Sequence, residues 1–557
     1  GLGIFALSAT LTDRAEPSES LKATVVWQQG LPAAGYLLCG DQIDGFRYGR
    51  EITTEYDVVG KPGAYFVQSS FDLPHGDVRH WQIVADVNQD SAAVVRLQRL
   101  LHGPPAEVAA SLHEDIDQGT RDLVKYVASA DGLEHSADRA VSAHHFANVL
   151  INIMRGGIFA DGYWIERRDF IDFAKTRNRD VVARQRSWFS ELPERCKLQE
   201  LQAKAADTDN PELMRLCYEY LPLIFSRRHG DPSRPWNRFA INLRHPDGSP
   251  RLDYQGNWRD IFQNWEPLAL SFPGYTASLI VKFLNATTVD GYNPYRVTRD
   301  GIEWEIPEPD NPWANIGYWS DHQIIYLQKL LEIADQVQPG GLAALRNRPI
   351  FTYADVPYRL RPYGEMLADW YNTIDFDWEK EAAIEADVAA MGTDGRLRRA
   401  ASGHIVHVGL DEKLLSLLLA KLTNLVPEGG IWMNPQRPEW HDANNALVGK
   451  GLSVVTAAYL RRFLAYWLGQ LDDNRSLTIT LNSALAELFA RVHQILIDHA
   501  PDLETGFTGA GRRAVMDELG EAATLYRSAV YAADWPTAGA TITNERLKDF
   551  LILTLRY

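Results

Sequence analysis

One change of hydrophobic period divides the chain. Up to about residue 102, short β-branched and aromatic runs alternate with Gly, Pro and Asp, as strands and turns do. Past Pro104-Pro105, apolar residues recur at helical spacing almost to the last residue. The first stretch predicts strands over Phe5–Thr10, Ala23–Trp27, Tyr36–Cys39, Ile52–Val58, Ala64–Phe71 and His80–Val87. The second predicts helices near 106–128, 137–154, 166–176, 178–190, 194–206, 210–226, 255–265 and 273–286. It continues with helices near 320–336, 361–371, 376–391, 408–425, 449–470, 476–498, 509–531 and 542–556. No fixed repeat runs through these helices, which argues against a regular solenoid. The expected architecture is mainly α: an antiparallel β-sandwich module over 1–103, a helical linker over 104–136, and helical hairpins packed as a toroid over 137–557. Gly1 opens the chain inside an apolar stretch and Tyr557 closes it inside a helical one, so the sequence reads as a segment of a longer protein.

Charge and cysteine content narrow the function classes. With 56 Lys plus Arg against 73 Asp plus Glu, the net charge is −17. An acidic chain lacks the phosphate-neutralising surface that nucleic acids and anionic membranes require. Three scattered cysteines, Cys39, Cys196 and Cys217, cannot supply a disulfide framework or a structural zinc site, which points to a reducing, cytoplasmic setting. No apolar run reaches 18 residues, so no transmembrane helix is expected.

The aromatic residues carry the functional hint. There are 16 Trp, 23 Tyr and 20 Phe, and several stand beside acids, amides and histidines. An aromatic face next to fixed hydrogen-bonding groups suits a sugar, which has apolar C–H faces and hydroxyl edges. Three clusters show the pattern, and the long loops 227–256, 287–319 and 426–448 lie around them. In Trp258-Arg259-Asp260-Ile261-Phe262-Gln263-Asn264-Trp265-Glu266, helical spacing puts Asp260, Gln263 and Asn264 on one face. Asp260 is either an Arg-paired helix cap or, half-buried against indole, a general acid with a raised pKa. In Tyr318-Trp319-Ser320-Asp321-His322-Gln323, Ser320 or Asp321 reads as a helix N-cap, and His322 has no second metal ligand at the right spacing. In Trp440-His441-Asp442-Ala443-Asn444-Asn445, the concentration of hydrogen-bonding groups can read several hydroxyls or form a turn before a helix cap. Arg155, at the end of a helix closed by Gly156-Gly157, and the basic loop Arg227–Arg234 are further candidates. Asp290-Gly291-Tyr292-Asn293-Pro294-Tyr295 and Arg299-Asp300-Gly301 are turn sequences first and site-lining residues second.

In their order and content these clusters resemble the phosphorylases of glycoside hydrolase family 94, the cellobiose and chitobiose phosphorylase type. Trp258-Arg259-Asp260-Ile261-Phe262-Gln263-Asn264 is similar to that family's Tyr-Arg-Asp-x-x-Gln-Asp motif, with Trp258 in place of Tyr and Asn264 in place of Asp. Trp440-His441-Asp442-Ala443-Asn444-Asn445, followed by Gly449-Lys450-Gly451, is similar to its Trp-Asn-Asp-Gly-x-Asn motif. The family's late phosphate-binding motifs have no counterpart before Tyr557. The resemblance implies a β-sandwich followed by an (α/α)6 barrel, and a divergent relative that cleaves or reversibly phosphorolyses a glycosidic bond with inversion. By the match, Asp260 is the general acid, and Trp258, Arg259 and Gln263 contact sugar. Arg155, Trp319, His322, Trp440, His441, Asn444 and Asn445 complete the sugar subsites. A hydrolase also needs a carboxylate base roughly 6.5–9.5 Å from the acid; Asp442 is the first candidate, with Asp321 and Glu266 behind it. No cofactor or metal is expected; inorganic phosphate is the one co-substrate implied, the substrate is an oligosaccharide or glycoside, and a homodimer is compatible. Two rivals stay open at this level: a non-catalytic glycan-binding or scaffold segment, and a polysaccharide lyase using Tyr318 with His322 or His441.

Overall fold

The computed structural model describes residues 1–6, 22–224, 245, 249, 251–308, 318, 320, 323–346, 348–434, 449–471, 478–532, 535 and 539–557. The side chains of Asn88, Arg155, Asn257, Arg259 and Asp260 lie outside that description. The chain is mainly α-helical with small antiparallel sheets, and it divides into two units, Gly1–Lys125 and Tyr126–Tyr557. The division falls inside one helix, Pro105–Ser129.

In the first unit, Leu2–Ala6, Ala23–Gln29 and Gln82–Gln89 form a three-stranded sheet with Ala23–Gln29 in the centre. Alternation puts Val25 and Trp27 on its buried face. A separate ladder joins Ala33–Leu37 to Phe66–Ser69. The expected strand over Ile52–Val58 is absent. The Glu55 carboxylate takes up the backbone N–H groups of Leu38 and Cys39 at 2.7 and 3.0 Å, so a side chain does there what a ladder would do. Ser91–Leu101, which falls in the stretch read as strands, is a helix: the Asp90 carboxylate caps it through the Ala93 N–H, and the apolar residues after it follow helical spacing.

In the second unit the predicted helices form, most within a few residues of the expected bounds. A recurrent device starts them. Trp164–Glu166, Arg195–Lys197, Gln255–Asn257, Leu452–Ser453, Thr478–Asn482 and Gly539–Thr543 are short strands that run directly into helices. Two of these strand pairs bind each other, Trp164–Glu166 with Arg195–Lys197 and Thr478–Asn482 with Gly539–Thr543, so helix N-termini are held in twos. The pairing satisfies backbone groups where a helix cannot satisfy its own.

Helices Thr276–Asn285 and Leu410–Leu422 lie in the core and are buried almost all round. The charges on the second one are matched. Asp411 accepts from Arg346 Nε at 2.9 Å, and Glu412 accepts from Tyr353 OH at 2.9 Å and Asn482 Nδ2 at 2.8 Å. Lys413 Nζ donates to the Thr287 carbonyl and stands 3.7 Å from the Tyr353 ring centroid. Charges in a core persist only with such partners. Among the described residues no helix is long and apolar enough to cross a membrane.

Candidate functional site

The Trp258–Ser271 helix is launched by the Gln255–Asn257 strand, which pairs with Arg296–Thr298. The Trp258 N–H donates to the Tyr295 carbonyl at 2.9 Å, and Asp260 sits in the first turn. Trp258, Ile261, Phe262 and Trp265 occupy the buried face, at i, i+3, i+4 and i+7. Trp258 has no exposed surface; its ring packs on Phe262 and Phe283 and carries the first turn from below. On the other side Gln263 Oε1 accepts from Tyr326 OH at 3.5 Å, and Glu266 pairs with Lys329 at 2.9 Å. Pro267 lies within the helix and withholds the N–H that the Gln263 carbonyl would accept, a standard cause of a local kink.

The Arg139–Gly156 helix packs on this one. Gly156 makes the approach: a β-carbon there would collide with the Asn264 carbonyl. The backbone of Arg155 is thereby brought beside the helix of Asp260, joining two of the clusters singled out in the sequence.

The turn after helix Thr276–Asn285 is the joint of the site. Asp290, 5% exposed, accepts from the hydroxyls of Thr288 and Tyr318 at 2.5 Å and from that of Tyr531 at 2.6 Å. Gly291 has φ 82°, and a β-carbon there would strike Ala420, so both conformation and space require glycine. Tyr292 stacks on Tyr318 with centroids 5.0 Å apart, and burial pushes its hydroxyl up to about 12. Asn293 Oδ1 accepts from Gln323 Nε2. Tyr318, Ser320 and Gln323 are the described members of the second cluster; Trp319, Asp321 and His322 lie outside the described residues.

The turn also abuts the end of helix Leu410–Leu422, where Gly291 lies against Ala420 and Lys421 Nζ stands 5.7 Å from the Tyr292 centroid; just beyond, the Asn424 carbonyl accepts from the Trp432 N–H at 2.8 Å, on the flank of the third cluster. The neck of segment 435–448 is then closed by Gly449 N–H to the Met433 carbonyl at 2.7 Å, Met433 N–H to the Gly451 carbonyl at 3.1 Å, and Trp432 Nε1 to the Gly449 carbonyl at 3.1 Å. Trp440, His441, Asp442, Asn444 and Asn445 lie outside the described residues, as does the basic loop Arg227–Arg234. The flanks of three clusters thus meet on one buried turn, Thr288–Tyr295. Its sequence was legible as a turn; the hydroxyl and amide partners that make it a hub come from elements distant in the chain.

Tyr318, the base that a lyase would use, is buried. Burial and the Asp290 carboxylate together hold its hydroxyl far above the ordinary tyrosine value. That position argues against a proton-abstracting role. Among the described residues no group of His, Cys, Asp and Glu has metal-site geometry.

A second polar assembly lies at the root of the 159–222 segment. The chain leaves and returns at one place, where Ile158–Phe159 pairs with Leu223–Ile224. From this excursion Arg177 Nη2 meets Glu219 at 2.6 Å, Arg177 Nε meets Asp394 at 2.9 Å, and Arg215 meets both acids. Asn178 Nδ2 adds a bond to Asp394 at 3.2 Å, and Asn285 Nδ2 donates to Glu219 at 2.5 Å. All are buried. Burial opposes ionisation of Glu219, but Arg177 and Arg215 prevail and hold it at about 2. Burial, reinforced by Arg177, pushes the neighbouring Lys282 amine down to about 7.

The comparison with known families falls on this excursion. A family model described as glycoside hydrolase family 149 insertion domain 1 matches residues 159–222. The paired strands at its two ends are what an inserted segment needs, because they let it leave and rejoin the fold at one point. A comparison with curated proteins gives no match. The match is to family 149, not to family 94, and it relates the chain to glycoside hydrolases.

Proposed function

We propose that the chain is a carbohydrate-active enzyme that cleaves a glycosidic bond with inversion on an (α/α)6-type helical domain. The observation that carries the proposal is the approach of the Trp258, Tyr318 and Trp432–Gly449 flanks to the Thr288–Tyr295 turn, the last of them by way of the Ala420–Asn424 helix end. The described flanks of three aromatic-acid clusters far apart in sequence lean on one buried turn, as a sugar site assembled from several loops requires. The family 149 insertion match supports the same substrate class.

In this reading the Asp260 carboxyl protonates the leaving oxygen. Arg155, Arg259, Gln263, Trp319, His322, Trp440, His441, Asn444 and Asn445 hold the sugar. Phosphate attacks the anomeric carbon from the opposite face, or a water does so with a carboxylate base. Asp442 and Asp321 are the first candidates for that base, because Glu266 is already paired with Lys329.

The test is sugar release from an α- and β-linked oligosaccharide panel, with and without inorganic phosphate. Release of a sugar 1-phosphate only when phosphate is present identifies a phosphorylase; phosphate-independent release identifies a hydrolase. Asp260→Asn should abolish turnover and leave the melting temperature unchanged. Turnover retained in a folded Asp260→Asn variant refutes the assignment.

A further inference from the structure

Most large aromatic rings of the second unit are in the core. Trp370 and Tyr371 are not; they keep 38% and 62% of their surface exposed. They follow the short helix Tyr363–Ala368, in the excursion between the paired strands Tyr358–Leu360 and Ile374–Phe376. Their rings stand at 89° with centroids 5.6 Å apart.

This pair is braced. Trp370 rests on Gly449, where a β-carbon would come within 2.5 Å of the indole; Gly449 has φ 70° and is held by Met433 and Trp432 on its two backbone groups. Lys450 Nζ stands 5.0 Å from the indole centroid. The rim is polar. The Asp369 carboxylate accepts from the Tyr371 N–H at 3.2 Å. The Asn372 amide, oriented to accept from the Arg361 guanidinium at 3.2 Å, is fixed in turn by the Arg361–Asp375 pair at 2.7 Å.

Two large rings held at a surface leave apolar area in water and return only part of the burial that a core site would give. A fixed aromatic face rimmed by amide, carboxylate and ammonium matches a pyranose, whose C–H face stacks on the ring while its hydroxyls meet the rim. The location adds the second argument. Gly449 follows Asn445 by four residues, so Trp370 rests on the end of the segment that carries the third sugar-reading cluster.

We propose that Trp370 and Tyr371 form a distal subsite that binds a pyranose unit of an oligosaccharide away from the bond being cleaved. This rests on the glycoside-cleaving reading above. The test uses the full chain and a length series of one linkage, from two sugar units to six, with kcat and KM measured for each. Trp370→Ala and Tyr371→Ser should leave kcat/KM on the two-unit substrate unchanged and lower it about tenfold on the longest, through KM. Tenfold corresponds to about 1.4 kcal/mol, the scale of one aromatic contact. Trp370→Phe keeps a ring on Gly449 and should retain most of the length dependence. Because Tyr371 is so exposed, Tyr371→Ser tests the subsite even where Trp370→Ala lowers the melting temperature.

An equal loss at every length means that Trp370 only braces Gly449, and no loss at any length means that nothing stacks there; either overturns the subsite. A parent chain that cleaves the disaccharide and gains nothing with length overturns the subsite alone. A parent chain that binds and cleaves no saccharide overturns the glycoside reading, and the subsite with it.

Discussion

Asp394 offers the sharpest test of how the 159–222 excursion is fastened. Its carboxylate is fully buried and receives Arg177 Nε at 2.9 Å, Arg215 Nη1 at 3.3 Å, Arg215 Nη2, and Asn178 Nδ2 at 3.2 Å. Asp394→Asn keeps the shape and removes the charge. Arg177 and Arg215 are then left with Glu219 as the remaining anion of this cluster, one buried positive charge in excess. Breaking a buried pair in this way costs about 3–5 kcal/mol, a large part of a typical stability of about 5–15 kcal/mol. At about 2.1 cal/mol/K per residue, a cooperative unit of roughly 430 residues has an unfolding entropy near 0.9 kcal/mol/K, so the melting temperature should fall by about 3–6 °C. Calorimetry on the full chain reads this directly. The companion variant, Asp394→Leu with Arg215→Met, removes one charge of each sign and should be less destabilised than Asp394→Asn, because no uncompensated charge remains. A fall of less than about 1 °C for Asp394→Asn, or a double variant that simply sums two losses, would falsify the view that charge balance fastens this segment.

Three further outcomes follow from the geometry. Lys282 titrates at about 7 in the fold against 10.5 in the unfolded chain; the unfolded state therefore binds more protons between those values, and the group makes stability rise with pH from about 7 to 10.5. Denaturant midpoints measured across that range should rise less steeply in Lys282→Met. Glu219 acts with the same sign in an acid window: held at about 2 against 4.5, it contributes stability above 4.5 that is lost as pH falls towards 2, and Glu219→Gln should show a smaller loss in an acid titration followed by circular dichroism. Gly291→Ala meets both a φ of 82° and the Ala420 side chain; it should cost at least about 1–3 kcal/mol and reduce turnover, since the turn it distorts supports all three clusters, and an unchanged urea midpoint would show that the turn is not rigid.

Helix positions were legible in the sequence because each helix buries one stripe, and a stripe recurs at 3.6 residues whatever it packs against. The Trp258–Ser271 helix and the Arg139–Gly156 helix were readable for that reason, as was the glycine pair that ends the latter. Ser91–Leu101 was missed although its apolar residues follow helical spacing, because it follows a strand directly inside a stretch whose other apolar runs are strands. The two- to five-residue strands that launch the helices were equally invisible, since pairing partners such as Thr478–Asn482 and Gly539–Thr543 are separated by more than fifty residues.

The division holds for the site. Local sequence by itself determined that Asp260 opens a helix, that Gly156 and Gly157 end one, and that Asp290-Gly291 makes a turn, because caps and turns are decided by neighbours along the chain. Only the tertiary structure decided that Tyr292 stacks on Tyr318 with Lys421 over its ring, that Asp290 collects three hydroxyls, and that Trp370 lies on Gly449. Those contacts link residues up to 241 positions apart, and a hydrogen bond between buried groups leaves no periodic trace in the sequence; it exists because packing brings the partners together and leaves neither of them water to bind instead.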